Sequence, residues 1–143
     1  MELLRKQNIE VAFLDAMLKV CIANHVPLCQ TTVLVKFSKT SELKLNLCRN
    51  DKAHLEMDIS DLFNRKMVGI GLTKESLLKL FHCVHYAFIQ EKNLEKDRIS
   101  LLIYFSKIAG CVCVGILEDT KPYRTLKIAD LFEAMNIGTE QNN

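Results

Sequence analysis

The predicted fold depends on residues 97–117, which read DRISLLIYFSKIAGCVCVGIL and are the most apolar part of the chain. An apolar run of about 20 residues is long enough to span a bilayer. Lys107 lies near its centre, however, at a cost of about 2.5–3.5 kcal/mol on insertion scales. We therefore expect no integral membrane segment, and we interpret residues 98–116 as a central helix that is buried on nearly all sides.

Length and composition indicate one globular domain. The chain has 143 residues, 49% of them hydrophobic and 25% charged, which favours a real core over disorder. Only five glycines and two prolines occur, as is typical of helices joined by short loops. No internal repeat is evident. We predict a single domain over residues 1–138, followed by a polar tail at 139–143.

Charge and cysteine content exclude some classes of partner and compartment. The formal net charge is +2, and no cluster of Lys and Arg indicates nucleic acid binding. The first residues carry charges from position 2 onward, so no signal peptide is visible. The six cysteines are therefore expected to be reduced, free thiols of a cytoplasmic protein.

Helical periodicity accounts for much of the remaining chain. Residues 2–25 place Ile9, Phe13, Met17 and Val20 on one face, and Leu18 widens that face. A short helix is predicted to start near residue 58 and a longer one to cover residues 73–90. A last helix is predicted to be capped by Asp119 or Thr120, with Pro122 in its first turn. The outcome is five or more helices, with the apolar one in the middle.

Residues 31–48 fit two structures. TTVLVKF and ELKLNLC alternate apolar and polar residues, and SKTS between them could turn a β-hairpin. A helix is the other interpretation, because Val33, Phe37, Ser41 and Leu45 are spaced by four. An isolated two-stranded ribbon is marginally stable in water, and no third strand is evident.

The sequence signals no metal site, cofactor or catalytic centre. On a helix, Cys111 and Cys113 would point about 200° apart and could not easily share one ion. His82 and His85 would share a face but have no evident further ligand. No phosphate-binding loop, dinucleotide fingerprint or oriented Cys–His nucleophile is present, so we expect no enzyme and no cofactor.

Arg98 opens the predicted central helix, where a positive charge is mildly unfavourable. One interpretation is a solvated base paired with Asp97 or Glu95. The other is a base at the lip of an apolar groove, placed to bind a carboxylate from a partner helix.

The segment LEKDRISLLIYFSKIAG, which begins at Leu94, resembles the first homology region of the Bcl-2 apoptosis-regulator family. Arg98 matches the family's arginine and Phe105 its aromatic residue, whereas Asp97 stands where the family keeps glycine. Upstream, SLLKLFHCVHYAFIQ resembles the family's groove-lining helix. The resemblance implies an all-α, Bcl-2-like helical bundle, a short divergent viral homologue, and mostly helix at 31–48 with the β-hairpin as the alternative.

The resemblance also implies a ligand groove with Arg98 as the clamp. Its walls would be formed by Cys83, Val84, Tyr86, Ala87, Leu101 and Phe105 on one side, and by Leu62, Phe63 and Met67 on the other. The implied function is inhibition of apoptosis by sequestering BH3 helices of pro-apoptotic proteins, in the host cytoplasm or at mitochondria. The alternative is a scaffold of the same fold that inhibits innate immune signalling. A homodimer is a further expected assembly.

Overall fold

The structure is a computed structural model that describes residues 2–50 and 52–134. The described residues form four α-helices: α1 (Glu2–Ala23), α2 (Arg65–Gly69), α3 (Lys74–Lys92) and α4 (Ile128–Ala134). They also form six strands: β1 (Thr31–Phe37), β2 (Leu43–Arg49), β3 (Lys52–Met57), β4 (Ile99–Ser106), β5 (Cys111–Glu118) and β6 (Lys121–Lys127). The strands build one antiparallel sheet in the order β3-β2-β1-β4-β5-β6. The predicted tail at 139–143 lies outside the described residues.

The prediction of an all-α, Bcl-2-like bundle is wrong, because residues 97–117 do not form a central helix. They form β4 and β5, joined by a tight turn at 107–110 that contains Lys107 and Gly110. The two strands pair along their whole length near the middle of the sheet. Both faces of these strands carry apolar residues, although only one face is covered by helices, so the segment reads as a continuous apolar run and not as an alternating pattern. Lys107 needs no buried site because it lies in the turn.

The β-hairpin interpretation of residues 31–48 is correct, and the choice of a helix there is wrong. β1 and β2 pair from Thr31 opposite Arg49 to Phe37 opposite Leu43. The ribbon is not isolated, because β3 and β4 extend the sheet on its two sides. Period-two alternation is therefore the right signal here, and the further strands come from segments whose patterns predict other structures.

The helices cover one face of the sheet. Val33, Val35, Leu101 and Ile103 point into this layer and are at most 1% exposed. α1, the longest helix, packs on β5 and on α4, where Phe13 and Phe132 have ring centroids 5.4 Å apart. The opposite face of the sheet has no covering layer among the described residues. Predicted helices at 2–25 and 73–90 are confirmed as α1 and α3, whereas Pro122 lies in β6 and not in a helix.

The chain contains two copies of an α-β-β-β unit. β4 starts at Ile99, 68 residues after β1 starts at Thr31, and β6 starts 69 residues after β3. Left-handed backbone conformations occur at matching places: His25 and Asn93 after the long helices, Ser41 and Gly110 in the first turns, and Asn50 and Asp119 in the second turns. The buried residues of α1 also match those of α3 one by one, as in Phe13 and Phe81.

The duplication is visible in the sequence, and the expectation of no internal repeat is wrong. TTVLVKFSK at 31–39 matches ISLLIYFSK at 99–107, and ISDLF at 59–63 matches IADLF at 128–132. The first strands of the two units, β1 and β4, lie side by side and antiparallel, with Leu34 opposite Leu102. A pseudo-two-fold axis perpendicular to the sheet therefore passes between them, and the residues of one unit have counterparts in the other apart from one extra residue in the 107–110 turn.

Candidate interaction surface

The residues predicted to form a ligand groove do not come together. Leu62, Met67, Val84 and Leu101 are at most 2% exposed and belong to the core. Of the others, Phe63, Cys83 and Phe105 are partly buried, whereas Tyr86 and Ala87 lie on the exposed side of α3. No groove of the predicted composition exists in the described part of the chain, because the helix expected to form its floor is a pair of strands.

Arg98 binds Asp119 in the β5–β6 turn, so its guanidinium group is already paired within the chain. Its Nε and Nη2 donate to Oδ1 and Oδ2 of Asp119 at 3.0 and 2.8 Å, while the Asp119 N–H donates to the Arg98 carbonyl at 2.7 Å. This bidentate pair raises the pKa of Arg98 and lowers the pKa of Asp119. The counterpart Gln30 accepts the same backbone bond from Asn50 at 3.1 Å. The backbone contact is therefore a feature of the repeat. The neighbouring Asp97 is exposed.

His82 and His85 have different environments. His85 is only 3% exposed, stacks on Phe37 with ring centroids 3.7 Å apart, and places Nε2 2.6 Å from the Lys96 carbonyl, to which that nitrogen donates. Burial lowers the pKa of His85, so the ring is neutral in the core. His82 is exposed. In the described ranges no group of three or more His, Cys, Asp or Glu side chains could hold a metal ion.

An exposed apolar stripe runs along α1. Leu4, Val11, Leu18 and Ile22 are 57%, 49%, 39% and 73% exposed. Their spacings of seven, seven and four place them on one side of the helix, opposite the buried Phe13 side. We call these four residues the α1 stripe. Leu18 is therefore not part of the core face, and the sequence signal for the stripe was the presence of apolar residues almost all around this helix.

The fold does not require an apolar surface at this place. In α3, the counterparts of Val11, Leu18 and Ile22 are Lys79, Tyr86 and Gln90, which are all exposed. The two helices have the same role in the core and differ on their outer faces. An exposed apolar patch that the architecture does not impose indicates an interaction site.

The charges beside the α1 stripe are compensated within the chain. Asp15 lies 3.3 Å from Lys19 Nζ and 3.9 Å from Lys66 Nζ, and it accepts a hydrogen bond from the Asn64 amide at 3.1 Å. On α2, which packs against α1, Val68 is 61% exposed. The stripe is thus an apolar surface whose flanking carboxylate is paired with two lysines, so this flank carries a small net positive charge.

A cleft of about 460 Å³ lies between the C-terminal end of α1 and β3, next to Val20 and Leu55. In the second repeat the counterpart of Val20 is Phe88, whose ring centroid lies 5.7 Å from that of Tyr123. Lys92 and Arg124 cover these two rings, with the Lys92 amine 4.7 Å from the Tyr123 centroid. The same gap is therefore filled by aromatic rings in one repeat and open in the other.

A second cleft, of about 650 Å³, lies at the end of the β1–β2 hairpin beside α3. Its rim carries both signs of charge, including Lys36, Lys44, Glu42 and Glu56, and Lys44 pairs with Glu56 at 3.2 Å. This mixture favours no one class of charged ligand.

No protein-family model, curated protein or solved structure matches the chain. The class that the structure defines is a duplicated α-β-β-β protein with one open sheet face. Membership of the Bcl-2 family stays a prediction. In the part of the chain that the structure describes, no helix has the length and apolarity that crossing a membrane requires.

Proposed function

We propose that the protein is a non-catalytic interaction module that self-associates through the α1 stripe. One observation carries the proposal: Val11, Leu18 and Ile22 are exposed on α1, whereas their counterparts on the duplicated helix are Lys79, Tyr86 and Gln90, of which only Tyr86 has a large apolar part. Burying an exposed Leu, Val or Ile side chain stabilises an association by up to about 1.5–3 kcal/mol before the cost of ordering is counted.

The spacing of the residues in the α1 stripe favours a helix as its binding partner. Residues seven apart lie two turns apart on the same side of a helix, and a second helix with the same spacing can pack against them. α1 itself has this spacing. Leu4, Val11 and Leu18 read the same in both directions around Val11, so an antiparallel pair places Val11 against Val11 of the partner subunit and Leu4 against Leu18 of the partner subunit.

The flanks of the stripe also suit an antiparallel pair. Asn8 of one subunit would lie opposite Asp15 of the partner subunit, so an amide faces a carboxylate and no like charges meet. Antiparallel helices also align their dipoles favourably. Two helices of this length bury less than the roughly 1,600 Å² of a standard interface, so we expect a dimer that dissociates on dilution.

Sedimentation or light scattering over a range of protein concentrations tests the proposal. We expect a concentration-dependent dimer that is abolished by Val11→Lys, which introduces the residue of the α3 counterpart and places two cations across the axis. Leu18→Tyr, which likewise introduces the residue of the α3 counterpart, should weaken it. Tyr86→Ser on the outer face of α3 is the matched control and should leave it unchanged.

A monomer at every concentration would overturn self-association. If such a monomer binds an amphipathic peptide, and Val11→Lys removes that binding, the occupant of the stripe is a partner helix and not a second copy. Circular dichroism of each variant excludes loss of fold as the cause.

The same surface allows a direct test of the apoptosis hypothesis. Capture of BH3 helices stays a prediction, and the exposed stripe is the surface in the described residues that supports it best, because amphipathic ligand helices bind through apolar anchors. Calorimetry with peptides of pro-apoptotic proteins, on the native chain and on Val11→Lys, tests it. Unchanged affinity in the variant would exclude the stripe. No observation favours the innate-immunity alternative, and the cytoplasmic location remains part of the proposal.

A further inference from the structure

Cys111 and Cys113 lie two residues apart on β5, and their side chains therefore point to the same face of the sheet. This is the face without a covering layer among the described residues. The two Sγ atoms are 3.9 Å apart. In the predicted helix the two thiols would point about 200° apart and could not easily share an ion. In the strand they point to the same side, so this obstacle is absent.

The distance between the sulfurs suits one bound metal ion. With metal–sulfur bonds of about 2.3 Å, two sulfurs on one ion lie about 3.8 Å apart in a tetrahedral arrangement and about 4.6 Å apart in a linear one. The observed 3.9 Å lies near the tetrahedral end of this window, so both thiolates can reach one ion in a bent arrangement, and a linear one requires the sulfurs to move about 0.7 Å apart.

The number of ligand side chains indicates which class of metal ion the site could bind. Among the described residues, no third His, Cys, Asp or Glu completes a group with these two thiols. Structural zinc sites almost always use four ligands. Soft thiolate ligands favour Cu(I), which unlike zinc does not require four donors.

The surroundings hold the thiols in place and partly shield them. Cys113 is 3% exposed, and Cys111 is partly exposed beside the 107–110 turn, which leaves a route of entry from the open face. Burial raises the pKa of Cys113 to about 11, so a bound cation must displace protons from the thiols. Lys127, opposite Cys113 in β6, offsets negative charge at the site, whereas Glu10, bound to the Val112 N–H at 2.9 Å, adds to it.

The repeat shows that the fold does not need thiols at these positions. The β1–β2 pair Phe37–Leu43 corresponds to the β4–β5 pair Phe105–Val112, so the counterparts of Cys111 and Cys113 are Glu42 and Lys44. We propose that Cys111 and Cys113 form a two-thiolate binding site for a soft monovalent cation of the Cu(I) type.

Anaerobic titration of the reduced full chain with Cu(I), in competition with a chromophoric Cu(I) chelator, tests the proposal. We expect one tightly bound Cu(I) per chain and two sulfur neighbours by X-ray absorption. Cys111→Ser and Cys113→Ser should each weaken binding by more than the ~10–100-fold typical of an outer-shell change. Silver(I), which does not cycle its oxidation state, should show the same pattern.

The other thiols of the chain provide matched controls. Cys48→Ser, on the same strand face in β2, and Cys29→Ser, an exposed thiol, should retain the Cu(I) affinity of the native chain. Equal losses in these controls would show unspecific thiol binding and overturn the proposal. Binding that survives in the Cys111→Ser/Cys113→Ser double variant would overturn it as well. Cys111→Ala and Cys113→Ala give the same comparison if a serine variant fails to fold.

Discussion

Phe37 of β1 and His85 of α3 stack with ring centroids 3.7 Å apart and an interplanar angle of 14°. The stack joins the end of β1 to the helix layer, and the His85 bond to the Lys96 carbonyl ties the same ring to the turn before β4. In the first repeat the counterpart of His85 is Met17, which is 1% exposed. The core therefore accepts an apolar side chain at this position, and the histidine adds a pH dependence that methionine lacks.

We expect the free energy of unfolding to fall as the pH is lowered below about 6.5. Burial, followed by the Coulombic effects of His82 and Lys96, lowers the pKa of His85 in the folded chain, against the opposing hydrogen bond to Lys96. The unfolded chain therefore binds the proton first, so the contribution of His85 is complete above pH 6.5 and is lost as the pH falls through the lower folded pKa. Urea unfolding at several pH values measures the slope.

The slope should become smaller in His85→Met, the residue of the first repeat. His82→Gln, which changes an exposed histidine of the same helix, is the control and should retain most of the slope. An unchanged slope in His85→Met would show that another group carries the pH dependence.

Substitutions in two matching turns should have opposite effects on the free energy of unfolding. Ser41 and Gly110 have φ values of 66° and 68°, a conformation that glycine adopts without strain. Ser41→Gly should therefore stabilise the chain, and Gly110→Ala should destabilise it, each by about 1 kcal/mol. A Cβ at Gly110 meets no atom within 4 Å, so strain and not a clash is the cause.

Thermal or denaturant unfolding measures whether Ser41→Gly raises and Gly110→Ala lowers the free energy of unfolding. Gly69→Ala is the control for added bulk, because a Cβ there also meets nothing within 4 Å and Gly69 is not among the residues with positive φ. Destabilisation of the same size in Gly69→Ala would contradict the assignment of the Gly110 effect to its backbone conformation.

Asn64 joins α2 to α1. Its side chain accepts from the Met67 N–H at 3.1 Å and donates to the Ala12 carbonyl and to Asp15, both at 3.1 Å. Asn64→Ala should cost about 1–2 kcal/mol, because it removes both the cap of α2 and the donor to α1. Asn64→Ser retains a capping oxygen and should cost less. Equal losses in the two variants would show that the cap contributes little.

The Arg98–Asp119 pair should contribute only to local stability. Arg98→Ala and Asp119→Ala should each lower the melting temperature slightly, and the double variant should lose little more, because the two side chains bind each other. Both groups are exposed, so added salt should reduce the difference from the native chain. The Arg98→Ala variant should associate like the native chain, because the α1 stripe is unchanged. Additive losses in the double variant would contradict a direct coupling.

Periodicity predicted α1 and α3, because the buried residues of each recur at helical spacing along one side. The alternation at 31–48 also indicated the hairpin, but a helix was preferred there because no third strand was evident. The stretch at 97–117 has apolar residues on both sides of two strands, and apolar runs of this kind do not distinguish a buried helix from buried strands. Ala109–Gly110 in its middle was the turn signal that could have divided it.

The sequence shows that α1 is apolar almost all around, but it does not show which of these residues are left uncovered. Leu18 is apolar and helical in spacing, like Phe13, and which of them is covered depends on where the sheet lies. Arg98 drew attention as an unexplained charge because its partner Asp119 is distant in sequence and comes close only through the β5–β6 turn. The repeated FSK and DLF motifs were the best available clue, because each marks the same place in two copies of one unit.

The pairing of β1 with β4 has a consequence for the origin of the chain. Thr32 to Val35 bond to Leu101 to Tyr104 across the pseudo-two-fold axis, so each unit completes its sheet with the first strand of the other. An ancestral polypeptide of half this length, meeting its own twin along that strand, would reproduce the present strand order. Duplication and fusion of such a polypeptide would produce this architecture and would leave the outer faces of the two long helices free to differ.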